Sequence, residues 1–119
     1  MGKYSKDTFH NKEIQAKVIL ERVHSDMCGP FSRDSVAKHK YYVIFVDDFS
    51  WNFWIFLMHK KDRMFSKFCE FKALVEKYTG RKVKALMSDN GGEYVSNEFK
   101  KLCALEGILQ ELTEPHNPE

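Results

Sequence analysis

Asp26 closes the stretch VILERVHSD and Asp89 closes VKALMSD, so two carboxylates stand where apolar strands give out. In layered α/β sheets, strand ends are where ligands usually sit, and the pair can share one site. Each aspartate also has a plainer use, capping a strand end or accepting a turn hydrogen bond. The other residues that ordinarily perform metal or covalent chemistry lack the spacing for it. Cys28, Cys69 and Cys103 are odd in number, widely separated and never in a C-x-x-C, which encodes neither a disulfide framework nor a zinc knuckle. His10, His24, His39, His59 and His116 show no ligand spacing with one another or with cysteine. Cationic side chains gather at Arg81, Lys82 and Lys84 and again at Lys100 and Lys101. Such runs suit phosphates, and equally make a solvated face.

The elements that must position these groups are marked by periodicity. From Val18 the branched residues of VILERVHSD predict a strand ending near Asp26, before Gly29 and Pro30. Tyr41 to Val46 is continuously apolar, which predicts a strand covered on both faces and central in a sheet. Asp47, Asp48 and Ser50 read as a turn, and WNFWIFLM returns as the second strand of a hairpin. Over residues 62–79, Met64, Phe68, Phe71, Val75 and Tyr78 recur at helical steps, with Asp62 near the start and Gly80 as the stop. VKALMSDN is a short strand entering a turn at Asn90, Gly91 and Gly92. SNEFKKLCALEG is a helix capped by Ser96 or Asn97, with Phe99, Leu102, Cys103 and Leu105 apolar. ILQELT is the last strand, and the prolines of EPHNPE bar regular continuation. A hairpin-rich start followed by β-α-β-α-β alternation demands parallel crossovers, hence an α/β fold with a mixed sheet.

Composition narrows the class without choosing a function. The chain has 119 residues, 43% hydrophobic and 30% charged, enough for one domain with a core. Residues 1–17 are polar and basic and read as an arm or linker, with the domain spanning 18–119. A formal charge of +2 does not by itself argue for nucleic acid. No apolar run is long enough to cross a membrane and no secretory signal opens the chain, so a soluble, intracellular protein in a reducing compartment is expected.

Three motifs occur in order: HSDMCGPF at 24–31, YYVIFVDDFS at 41–50 and SDNGGEYVSNEF at 88–99, followed by PHNP at 115–118. Together they resemble the catalytic core of copia-type retrotransposon integrases, over about residues 18–118. The resemblance implies a ribonuclease-H-like mixed sheet of about five strands flanked by helices, and DNA integration by two-metal phosphoryl transfer. It assigns Asp26 and Asp89 as catalytic, metal-holding carboxylates for Mg²⁺ or Mn²⁺, which prefer hard oxygen ligands. DNA is the implied partner, with Asn90, Gly91, Lys82, Lys84, Lys100, Lys101 and Asn117 as candidate contacts, and a homodimer or pairing with full-length integrase is a further expectation. The third carboxylate of the family pattern falls at position 125, six beyond residue 119, along with the last helix, so the isolated chain is expected to bind metal weakly and not to join strands.

Other departures point the same way. Of the zinc-binding module that usually precedes the core, only GKYSKDTF resembles what would follow it, and Trp51, Met87 and Leu109 or Gln110 stand where family members commonly carry arginine. A non-catalytic module that binds nucleic acid or pairs integrase copies is the alternative. The nucleus is the compartment the resemblance implies, an organelle-encoded fragment being the other possibility.

Overall fold

The computed structural model describes residues 16–31 and 40–113. The expected arm over 1–17, apart from its last two residues, and the PHNP segment with Asn117 lie outside the described residues. Three strands come first: β1 Val23–Cys28, β2 Tyr41–Asp47 and β3 Phe53–Met58. A 3-10 turn, Lys61–Arg63, leads into α1 Met64–Thr79, followed by β4 Ala85–Asp89, α2 Asn97–Glu106 and β5 Leu109–Thr113. They form one five-stranded sheet in the order β3-β2-β1-β4-β5. β2 is antiparallel to both neighbours, while β4 is parallel to β1 and β5. The mixed sheet follows the alternation in the sequence.

The order explains where the helices lie. The crossovers β3-α1-β4 and β4-α2-β5 both step across the sheet in the same direction, so right-handed connections carry both helices to one face. The core bears this out. Val23, Val43, Phe45 and Leu86 of the sheet cluster with Phe68, Phe71 and Val75 of α1 and Phe99 and Cys103 of α2. The Phe45 and Phe71 rings stack with centroids 4.4 Å apart, and those of Phe68 and Phe99 at 5.0 Å. Aromatic contacts of this kind lock the layers in one register.

Four local expectations need correction. β2 is interior to the sheet, paired with both β1 and β3, though the middle strand is β1. In β2, Val43 and Phe45 are buried against the helices, but Tyr42, Ile44 and Val46 are only half-buried, so its unbroken apolarity reflects an open face rather than cover on both sides. β1 begins at Val23, because residues 17–21 are folded into a turn by side chains from elsewhere: the Leu20 N–H donates to Asp47 Oδ1 at 2.7 Å. Asp62 lies in the 3-10 turn and does not cap α1, whose N-cap is Arg63 with no side-chain bond. Leu105 is 79% exposed, so only Phe99 and Cys103 anchor α2 with Leu102 packed beside them. The helix ends otherwise agree with expectation: Ser96 Oγ accepts from the Phe99 N–H, and Gly80 ends α1 at φ 75°.

Candidate functional site

The sheet face opposite the helices carries the two aspartates. Along β1, Val23 and Ser25 are buried while Asp26 faces solvent; along β4, Leu86 and Ser88 are buried while Asp89 faces solvent. Strand alternation therefore puts both carboxylates on the open face. The parallel pairing Val23↔Leu86 and His24↔Met87 sets the register. The pairing ends there, two residues short of the aspartates, and the same offset would match Asp26 with Asp89. The two carboxyls are close enough for the Asp89 charge to act on Asp26.

Electrostatics agree with that placement. The packed surroundings, and after them the Asp89 charge, push the Asp26 carboxyl above its ordinary value, against the opposing Met27 N–H. Like charges held at one strand end repel, and a divalent cation would relieve the repulsion. Asp89 is also tied locally. Its Oδ1 accepts the Gly91 N–H at 2.9 Å, and a Cβ at Gly91 would stand only 3.0 Å from that oxygen, so the turn closes tightly on the carboxylate. Asn90 is exposed beside it.

The segment after β4 is held by Tyr94, a residue within the motif to which the sequence assigned no role. Its ring is buried against Phe99, its hydroxyl meets Ser25 Oγ at 2.8 Å beneath the aspartate pair, and its carbonyl accepts Gln110 Nε2 at 2.8 Å. Burial, outweighing the Ser25 hydrogen bond, with the charges of Asp26, Asp89 and Glu93 adding to it, drives the Tyr94 hydroxyl far above the ordinary phenol range. It is a neutral post under the site. The one signal for it was the tyrosine of NGGEY standing ahead of a predicted helix.

At the other end of β1, Asp48 takes the Ala16 N–H at 2.8 Å and His24 Nε2 at 2.7 Å, with Arg22 Nη1 at 3.6 Å. Arg22 also reaches Glu111 Oε1 on β5 at 2.8 Å. His24 is therefore a partner of Asp48. Lys82 and Lys84 precede β4 and so stand at the end of that strand opposite Asp89, roughly 16 Å along it. Lys82 Nζ is 3.9 Å from Glu76 Oε1, and Lys100 and Lys101 are exposed on α2. Lys82 and Lys84 are therefore not gathered at the aspartate pair by the fold.

Asp26 and Asp89 carry the hard carboxylate oxygens that Mg²⁺ or Mn²⁺ prefers. Among the described residues, no group of three or more His, Cys, Asp or Glu side chains is placed to hold a metal ion. No described helix is long and apolar enough to cross a membrane.

Comparison with known proteins matches residues 9–118 to the integrase core domain. The chain is 44% identical over 118 residues to the retrovirus-related Pol polyprotein from transposon TNT 1-94 of Nicotiana tabacum, covering 99% of this chain and 9% of that polyprotein. It is 34% identical over 120 residues to the Pol polyprotein from transposon RE2 of Arabidopsis thaliana, covering 8% of it. The chain thus spans less than a tenth of these relatives. Among solved structures, a chain of the simian T-cell lymphotropic virus intasome in complex with PP2A regulatory subunit B56 gamma superposes with TM-score 0.65 at 21% identity, over 87% of this chain and 35% of that one. The HTLV-2 integrase catalytic core domain in complex with magnesium, in dimeric form, superposes with TM-score 0.61 at 19% identity, over 79% of this chain and 60% of that one. These two likenesses establish a ribonuclease-H-like fold.

Proposed function

From the premise that this chain belongs to the integrase core domain family, we propose that it is the part of a retrotransposon integrase that positions DNA for end processing and strand transfer. Asp26 and Asp89 are the catalytic carboxylates in this reading and would hold Mg²⁺ or Mn²⁺. The observation that carries it is that parallel strands β1 and β4 turn both aspartates to the open face of the sheet, near enough for the Asp89 charge to act on Asp26. When bound, divalent ions in such a site activate the attacking oxygen and stabilise the leaving one. The chain's own residues do the rest. Tyr94 and Ser25 fix the floor, the Asp89–Gly91 turn aims one carboxylate, and the exposed Asn90 with the half-buried Gly91 faces the approaching strand. Lys82, Lys84, Lys100 and Lys101 fit flanking phosphate contacts at a distance from the pair. Two carboxylates form part of a ligand set, so full activity calls for an additional oxygen donor at the position the family pattern puts beyond residue 119.

The experiment is a Mn²⁺-dependent nicking and strand-transfer assay on labelled DNA, with the domain placed in the matching segment of the tobacco polyprotein. Asp26→Asn and Asp89→Asn, each made separately, reduce product to background if the reading is right. Product that persists in either variant overturns it.

A second reading has a specific observation in its favour. Phe53, Ile55 and Leu57 of the edge strand β3 are 59%, 51% and 41% exposed on the open face. An edge strand this apolar invites a further copy of the fold, and the HTLV-2 relative is described in dimeric form. Sedimentation of the 119-residue chain separates the two: Phe53→Thr with Ile55→Thr shifts a dimer to monomer if β3 is the contact, and leaves the distribution unchanged otherwise.

A further inference from the structure

A further group of lysines lies in the segment HKK at 59–61, with Lys40. Strands β3, β1 and β4 run in the same direction, so the chain leaving β3 at Met58, β1 at Cys28 and β4 at Asp89 emerges along one edge of the sheet. Lys40 enters β2 on that same edge, where its N–H donates to the Met58 carbonyl at 3.0 Å. A groove opens there, lined by Lys40, Tyr41, His59, Lys60, Lys61 and Glu93, with Asp62 at its side. Through Glu93 it borders the Asp89–Gly91 turn. Lys61 Nζ is 3.8 Å from Glu93 Oε2, and the Gly91 backbone lies against Asp89 Oδ1 and Glu93 Oε1 together. On the other side the Tyr41 ring packs on Gly29, directly after β1. Lys40 and Lys60 are exposed and form no ion pair among the described residues, and the Lys61–Glu93 pair is long and open to solvent.

We propose that Lys40, Lys60 and Lys61 form a phosphate-binding groove that carries the sugar-phosphate backbone of a DNA strand past the Asp26–Asp89 pair. The inference rests on the integrase reading and adds to it the path of the strand. Lysine is a mobile point charge with three donors, suited to backbone phosphates whatever the base sequence. An incoming phosphate competes readily with Glu93 for Lys61, because an exposed pair of that length is weak.

The test measures fluorescence anisotropy of a labelled DNA duplex with the 119-residue chain, in EDTA, across a salt series. Lys60→Ala/Lys61→Ala weakens binding about tenfold at low salt and reduces the slope of log affinity against log salt by about 2, one unit per lost phosphate contact. Lys17→Ala/Lys77→Ala removes the same charge at the opposite end of the molecule and leaves both quantities unchanged. Circular dichroism confirms that each variant is folded. Unaltered binding by the groove variant, an equal loss in the distant variant, or no DNA binding by the parent chain overturns the proposal. Because the assay contains no metal, it fails independently of the catalytic reading: groove-dependent binding with Asp variants that retain strand transfer keeps the groove and removes the assigned catalysis.

Discussion

Asp47 and Asp48 are adjacent in sequence and have different roles. Asp47 is fully buried, and its two oxygens accept the Leu20 and Ser50 N–H groups, each at 2.7 Å. Asp47→Ala strands both donors and should lower unfolding free energy by about 2–4 kcal/mol, measurable by urea denaturation. Asp48 is half-buried. Burial alone would raise its carboxyl, but the Ala16 N–H, His24 and Arg22 together hold it below the usual range. A folded value below the unfolded one gives stability that is present above the ordinary carboxylate range and lost as pH falls through the folded value. An acid titration of the melting temperature should therefore drop more steeply below about pH 4 for the parent chain than for Asp48→Asn. The sequence showed these two only as turn residues, since their partners at Leu20 and Ala16 lie 27 and 32 positions away. Asp26 and Asp89 were legible because motifs name them, but their mutual register was not, as it depends on how β1 and β4 pair.

Among the elements, hydrophobic period gave strands and helices their type and approximate bounds, while side-chain environment decided the exceptions. β2 reads as central because its open face is apolar, and a sequence does not distinguish an apolar residue facing solvent from one facing a second layer. The link from β1 to β2 depends on Gly29, at φ 129°, where a Cβ would stand 2.5 Å from the Lys40 carbonyl and 2.7 Å from the Tyr41 ring. Gly29→Ala must both adopt a strained backbone and displace that carbonyl, at a cost of about 2–3 kcal/mol read as a loss of chemical stability. Since Gly29 borders the lysine groove, the variant should also weaken DNA binding. Trp51 shows the opposite case. It sits at φ 69° and is 56% exposed, a conformation unfavourable to a bulky side chain. Trp51→Gly should stabilise the hairpin by about 0.5–1 kcal/mol, seen as a higher melting temperature.

For the whole molecule, the order β3-β2-β1-β4-β5 with two right-handed crossovers segregates the surfaces. Helices and the aromatic core take one face; aspartates, the Arg22–Glu111–Asp48 network and the apolar edge at β3 take the other. The carboxylates stand at the edge where β1, β3 and β4 all end, which is also where Lys40, Lys60 and Lys61 collect. The cations at 81–84 and 100–101 stand out as clusters in the sequence, whereas those at 59–61 come to the edge of Asp89 only because β3 and β4 run in the same direction. In the proposed function, Asp26 and Asp89 act as one divalent-cation site. Its most direct test is a Mn²⁺ titration of the 119-residue chain, followed by electron paramagnetic resonance of the free ion, alongside Asp26→Asn and Asp89→Asn. Weak binding by the parent chain that falls about tenfold or more in each variant, with circular dichroism unchanged, is the predicted result. Binding that survives either substitution undiminished would contradict it.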